Sequence, residues 1–171
     1  MAQIKKIPTR DEIPMEDRWA TEDLFSSDEA WEEALASMEQ NKQELASFAG
    51  RLAESAETLY NYLWCMEQTD EKANLIAGYA MRKADEDTRV AKYQAMRGKC
   101  MGVLVGLQAA TSFETPEIMA ISDETMDAFY VACPKLERYR RYLNNVRRMK
   151  AHTLSAAEEK LLASAGEMAN A

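Results

Sequence analysis

Between Trp31 and Leu52, apolar side chains recur at steps of three and four, and this spacing limits what the chain can fold into. Trp31, Leu35, Met38, Leu45, Ala49 and Leu52 fall on one side of a 3.6-residue period, with Lys42 as the polar break. Glu32, Glu33, Glu39 and Glu44 fall on the other side. Such a segment is a helix with one face on a core and one in water. Just ahead of it, Ser26-x-x-Glu29 has the form of a capping box, in which the serine accepts from a backbone N–H and the glutamate reaches back to the serine N–H. Only four prolines and six glycines occur in 171 residues, so little interrupts helices elsewhere. No stretch sustains period-two alternation. The predicted fold class is all-α, a multi-helix bundle of antiparallel helices.

Around this helix the chain divides into an extended N-terminal arm, residues 1–25, and a helical region, residues 26–171. Pro8 and Pro14 hold the arm away from helix, and Trp19, Leu24 and Phe25 are its apolar anchors. A second helix is predicted from Glu57 to Glu67 with Leu59, Leu63 and Met66 inward. Thr69-Asp70 then breaks the chain and caps a third helix bearing Leu75, Ile76, Tyr79 and Ala80. Asp85-Glu86-Asp87 places acids before a fourth helix, Thr88 to Ala110. That helix carries Gly98, Gly102 and Gly106 on one face, each costing ~1 kcal/mol relative to alanine, so close packing against another helix of the chain is expected there. Thr115-Pro116-Glu117 opens a short helix, and Ser122 caps the next, Asp123 to Val131. Pro134 opens a basic helix with Leu136, Tyr139, Leu143, Val146 and Met149 inward. Ser155-x-x-Glu158 starts a last one.

A net charge of −8 argues against general nucleic-acid binding, which needs clustered Lys and Arg. The local exception is the segment 135–150, where Lys135, Arg138, Arg140, Arg141, Arg147, Arg148 and Lys150 face the single acid Glu137. It reads as a solvated face pairing with the acidic remainder, or as a site for an acidic partner. Cys65, Cys100 and Cys133 are odd in number and widely spaced, with no C-x-x-C, as expected of buried thiols in a reducing compartment. No apolar run follows Lys5-Lys6 and none approaches a membrane span, so a cytoplasmic location is expected.

Chemistry is sparse. A zinc hydrolase commonly uses two histidines one helical turn apart, and the only histidine is His152. No serine or cysteine lies in a nucleophile motif with it, and Asp85/Asp87 and Glu158/Glu159 read as solvated helix-end acids. His152 is placed to meet the free carbonyls at a helix C-terminus. From its residues the chain has no catalytic, cofactor or metal site of its own.

Scattered segments nevertheless resemble one family in order. They are Thr9-Arg10-Asp11-Glu12-Ile13-Pro14 with Trp19 and Asp23-Leu24-Phe25; Tyr79-Ala80 with Asp85-Glu86-Asp87-Thr88 and Tyr93; and Ser112-Phe113-x-x-Pro116-Glu117-Ile118. Leu136-x-x-Tyr139 through His152-Thr153-Leu154-Ser155 and Glu158-Glu159-x-Leu161-Leu162-Ala163 carries the most. This pattern resembles the N-terminal region of the oligoendopeptidase F-like zinc metallopeptidases.

The resemblance implies a parent enzyme that hydrolyses oligopeptides in the cytoplasm. Its zinc site is an H-E-x-x-H plus a downstream glutamate in a C-terminal catalytic domain, with the first glutamate as general base. None of those positions is present here. The resemblance therefore implies that this chain is inactive alone, contributes wall and cover to a substrate channel, and has the missing catalytic domain as its partner. A domain parted from its neighbour is expected to expose an apolar patch and to self-associate through it. The competing expectation is a stand-alone interaction module using the 135–150 helix.

Overall fold

The computed structural model describes Pro8 and residues 12–152. All regular structure among these residues is helical, as the periodicity predicts, with six α-helices: α1 Asp28–Ala46, α2 Ala56–Glu86, α3 Ala91–Ala110, α4 Glu114–Ala120, α5 Asp123–Ala132 and α6 Arg140–Arg148. Short 3-10 turns occupy Met15–Asp17, Thr21–Asp23, Pro134–Tyr139 and Met149–His152. The described residues fall into two compact units, one drawn from Met1–Ala49 and Asn61–Ser112, the other from Gly50–Tyr60 and Phe113–Ala171.

The first unit is built on three helix segments whose register can be read from their pairings. The Trp31 indole N–H donates to the Ile76 carbonyl at 2.8 Å, the Tyr79 hydroxyl to Asp28 at 2.6 Å, and Asn41 to the Thr69 hydroxyl at 3.4 Å. As α1 advances α2 retreats, so the two are antiparallel. Lys92 with Asp28 and Lys99 with Glu32 advance together, so α3 runs parallel to α1. Trp31, Met38, Leu45, Tyr62, Ile76 and Ala80 are fully buried between these faces.

Several boundaries differ from the sequence expectation. α1 is capped by Ser27, not Ser26: Ser27 is extended and its Oγ accepts from the Ala30 N–H at 3.2 Å. Three positions on from Ser27 stands Ala30, so the reciprocal glutamate arm of a capping box is missing. α1 stops at Ala46, and the turn beyond it uses Gly50 at φ +78°, a conformation open to glycine without strain. No break occurs at Thr69-Asp70. A threonine interrupts a helix when its hydroxyl takes over local backbone bonds; here Thr69 is fully buried and its hydroxyl accepts from Asn41 of α1. Leu75, expected inward, is exposed, and so is Met149. Trp19, expected to pin the arm, is half exposed, whereas Phe25 meets the Tyr79 ring edge-on at 5.6 Å.

The second unit buries Leu52, Leu59, Ile118, Met126, Leu136 and Leu143. Ser122 caps α5 as predicted, accepting from the Thr125 N–H at 3.0 Å. The α4 helix starts at Glu114, two residues before Pro116. The basic segment is 3-10 from Pro134 to Tyr139 before it becomes α6. The predicted cap at Ser155 and the helix after it lie outside the described residues.

Candidate functional site

The residues that could have carried chemistry are dispersed. Asp85 pairs with Arg97 at 3.4 Å, while Asp87 accepts from the Arg89 guanidinium at 2.7 Å and from its backbone N–H at 3.0 Å. The Arg89 hydrogen bonds pull the Asp87 carboxyl down to about 2, which makes it a permanent anion that turns the chain into α3. Cys100 is buried and Cys65 and Cys133 half-buried; burial pushes the Cys65 and Cys100 thiols up, away from nucleophilic thiolate. His152 closes the last described turn. Glu158 and Glu159 lie outside the described residues. Among the described residues no three His, Cys, Asp or Glu side chains gather as a metal cage.

A polar cluster unforeseen in the sequence joins α1, α2 and α3. Asp28 accepts from the Tyr79 hydroxyl at 2.6 Å and pairs with Lys92 at 2.6 Å, and Lys83 lies 5.5 Å from the ring centroids of both Tyr79 and Tyr93. Burial opposes ionisation of Asp28, but the Lys92 and Tyr79 hydrogen bonds outweigh it and hold the carboxyl below its usual range. Burial and the Asp28 carboxylate together push the Tyr79 hydroxyl far up, so it is a fixed donor rather than an acid. The cluster therefore fastens three helices. The sign of its pH dependence follows. The contribution of Asp28 is fully present above the unfolded value of 3.8 and is lost as pH falls through the lower folded value. Asp28→Asn is expected to flatten the acid limb of a stability–pH profile, and an unchanged limb would refute the assignment.

The basic segment is partly consumed internally. Arg140 forks onto Glu137 and lies 3.8 Å from the Tyr130 ring centroid; the buried Tyr130 hydroxyl has no hydrogen-bond partner among the described residues. Arg147 donates to the Ile121 carbonyl at 3.1 Å and pairs with Asp123. Lys135 sits 5.4 Å from the Tyr60 ring centroid. Arg148 and Lys150, with Ser122, Asp123 and Arg147, line an open depression of ≈ 620 Å³.

The glycine face of α3 gives the clearest correction. A Cβ added at Gly98 or Gly102 would meet nothing within 4 Å, and one at Gly106 only the Lys42 Cδ at 4.0 Å. The stripe is not packed against another helix of the described chain. Gly102 and Gly106 instead line an open groove of ≈ 520 Å³ between α1 and α3, with Leu35, Met38 and Val103 on its walls. The salt bridges Lys99–Glu32 (2.7 Å) and Lys42–Glu39 (2.5 Å) rim it. Among the described residues, then, no helix packs closely on the glycine face.

Similarity to known proteins points one way. A family profile described as Oligopeptidase F matches residues 117–171. An oligopeptidase PepF of Bacillus subtilis is 32% identical over 98% of this chain, and the plasmid oligoendopeptidase F of Lactococcus lactis subsp. cremoris is 34% identical over 93% of it. The crystal structure of oligoendopeptidase F from Enterococcus faecium covers 83% of the chain with a TM-score of 0.68 at 30% identity. A peptidase structure from Chlamydophila abortus covers 94% with a TM-score of 0.80 at 25% identity. The likeness is thus to peptidases. More narrowly, the chain is related to the N-terminal domain of oligoendopeptidase F-type peptidases. It spans about a quarter of the length of these relatives.

Proposed function

We propose that this chain is the non-catalytic N-terminal part of a longer cytoplasmic zinc metallopeptidase that hydrolyses oligopeptides, and that it forms wall and cover of the substrate channel. The observation that carries the reading is the pairing of near-complete coverage of this chain with coverage of 26% of the Bacillus relative. The donor set supports it. A single histidine in the sequence does not fit the two-imidazole zinc site of such enzymes, so in this reading the metal is held by residues other than these. No helix among the described residues is long and apolar enough to cross a membrane.

Incubated with zinc, the purified chain is expected to bind no stoichiometric metal in equilibrium dialysis and to leave a fluorogenic oligopeptide intact. Metal-dependent turnover by the 171-residue chain would overturn the reading. A genomic reading frame that continues to an H-E-x-x-H segment would support it. A frame without one would favour the alternative, a stand-alone module that binds an acidic partner through residues 135–150.

A further inference from the structure

We propose that the groove between α1 and α3 is the seat of a helix from the part of the polypeptide that follows residue 171. This proposal rests on the reading of the chain as part of a longer peptidase.

The case begins with α3 itself. From Cys100 to Thr111 it carries no charged residue. Its inner side, Met96, Cys100 and Leu107, is buried. Its other side is also apolar or small, yet faces outward: Gly98 and Gly102 are exposed, Met101 is 43% exposed and Val105 61%. A helix that is apolar on all sides ordinarily has neighbours on all sides. Among the described residues, neighbours cover only its inner side.

The groove has the form of a helix seat. Its floor is Gly102 and Gly106, one turn apart, its walls are Leu35, Met38 and Val103, and its edges are ion pairs. Without side chains on the floor, an incoming backbone can approach closely, and aliphatic knobs from it can settle against the walls. The fitting occupant is an apolar helix with branched or long aliphatic residues at steps of three and four. Charged residues would suit only its flanks.

Size then decides between a free partner and a tethered one. The exposed face from Ala95 to Ala109 is about 20 Å long and about 10 Å wide, a few hundred Å². A stable complex between separate molecules needs about 800 Å² on each side. A second copy of this chain, meeting it on this face alone, falls short. A segment of the same polypeptide does not need that area, because a linker raises its effective concentration to the millimolar range. The relatives supply the length, since about three quarters of the Bacillus oligopeptidase lies outside the match.

The test sets one substitution in two lengths of protein, the 171-residue chain and the product of the full reading frame. In the short chain Gly102→Leu is expected to raise the thermal midpoint by about 3 °C, because a helix-interior glycine is replaced where nothing stands in the way. In the long protein it is expected to lower the midpoint, because the leucine occupies the seat. Gly106→Leu, on the same floor, serves as an independent repeat. A shift of the same sign in both lengths overturns the proposal. So does a concentration-dependent dimer of the short chain that Gly102→Leu abolishes, which would make the occupant a second copy. A long protein that cleaves peptides with zinc but shows equal shifts removes only the groove assignment. A reading frame without a catalytic segment removes the peptidase reading, and the tethered helix with it.

Discussion

Trp31→Ala is expected to destabilise the chain by about 3–5 kcal/mol, the cost of deleting a large core side chain and leaving its cavity behind. Trp31 is fully buried, its indole N–H donates to the Ile76 carbonyl at 2.8 Å, and its ring lies nearly parallel to that of Tyr79 at 6.5 Å. It therefore joins α1 to α2 through a hydrogen bond and a packed ring at once. Against a total stability of about 5–15 kcal/mol for a domain, this loss leaves a substantial unfolded population. Trp31→Phe restores much of the volume and not the hydrogen bond, so its expected cost is smaller, about 1–2 kcal/mol. Urea unfolding followed by far-UV circular dichroism measures both. If Trp31→Ala cost under about 1 kcal/mol, the central place given to this side chain would be wrong.

The same residue marks how far the sequence could be read. Trp31, Leu35, Met38 and Leu45 lie on one stripe, and all four are buried, because 3.6-residue periodicity is a local property that survives into the fold. Boundaries were less legible, since they depend on which of two adequate groups takes a backbone bond. Ser26 and Ser27 are equally able caps, and only the chain's path into α1 selects Ser27. Thr69-Asp70 has the composition of a break, yet a partner on another helix, Asn41, accommodates the hydroxyl and α2 continues for 31 residues. Tyr79 reads as one more apolar position. Its role beside Asp28 and Lys92 depends on residues far apart in sequence, which no local pattern brings together.

Zinc and nucleophile sites need particular residues at particular spacings, which is why a sequence can be searched for them directly. Gly98, Gly102 and Gly106 show the limit of that logic. Their spacing marks a face bare of side chains, where a Cβ at Gly98 or Gly102 would meet nothing within 4 Å. It carries no information on which helix approaches, and among the described residues none packs closely on that face. The basic segment is a similar case. Its charge is plain in sequence, but that Arg140 and Arg147 are engaged by Glu137, Tyr130, Ile121 and Asp123 emerges only from the packing of α5 and α6.

Glu117→Ala is expected to cost about 2 kcal/mol and to loosen the corner between α1 and α2. The Glu117 carboxylate on α4 accepts from the Gly50 N–H at 2.5 Å through one oxygen and from the Leu52 N–H at 3.1 Å through the other. Hydrogen bonds to a charged group are worth about 1.5–3 kcal/mol each when shielded. The Gly50 end is exposed, so less than the sum is expected. Removing the carboxylate also leaves the partly buried Leu52 N–H without its acceptor, beside a leucine side chain that is fully buried. The signature lies in hydrogen exchange. Protection of the Leu52 amide should fall sharply in Glu117→Ala and only partly in Glu117→Gln, whose single carbonyl oxygen can still accept. Gly50→Ala tests the same corner from the chain's side. Its φ of +78° imposes a strain of about 1–2 kcal/mol on any residue with a Cβ, although the space around it is open. If the corner is one device, combining Gly50→Ala with Glu117→Ala should cost less than the two separate losses together, because either change alone already frees the turn. Unchanged Leu52 protection in Glu117→Ala would show instead that the turn holds its shape without the carboxylate.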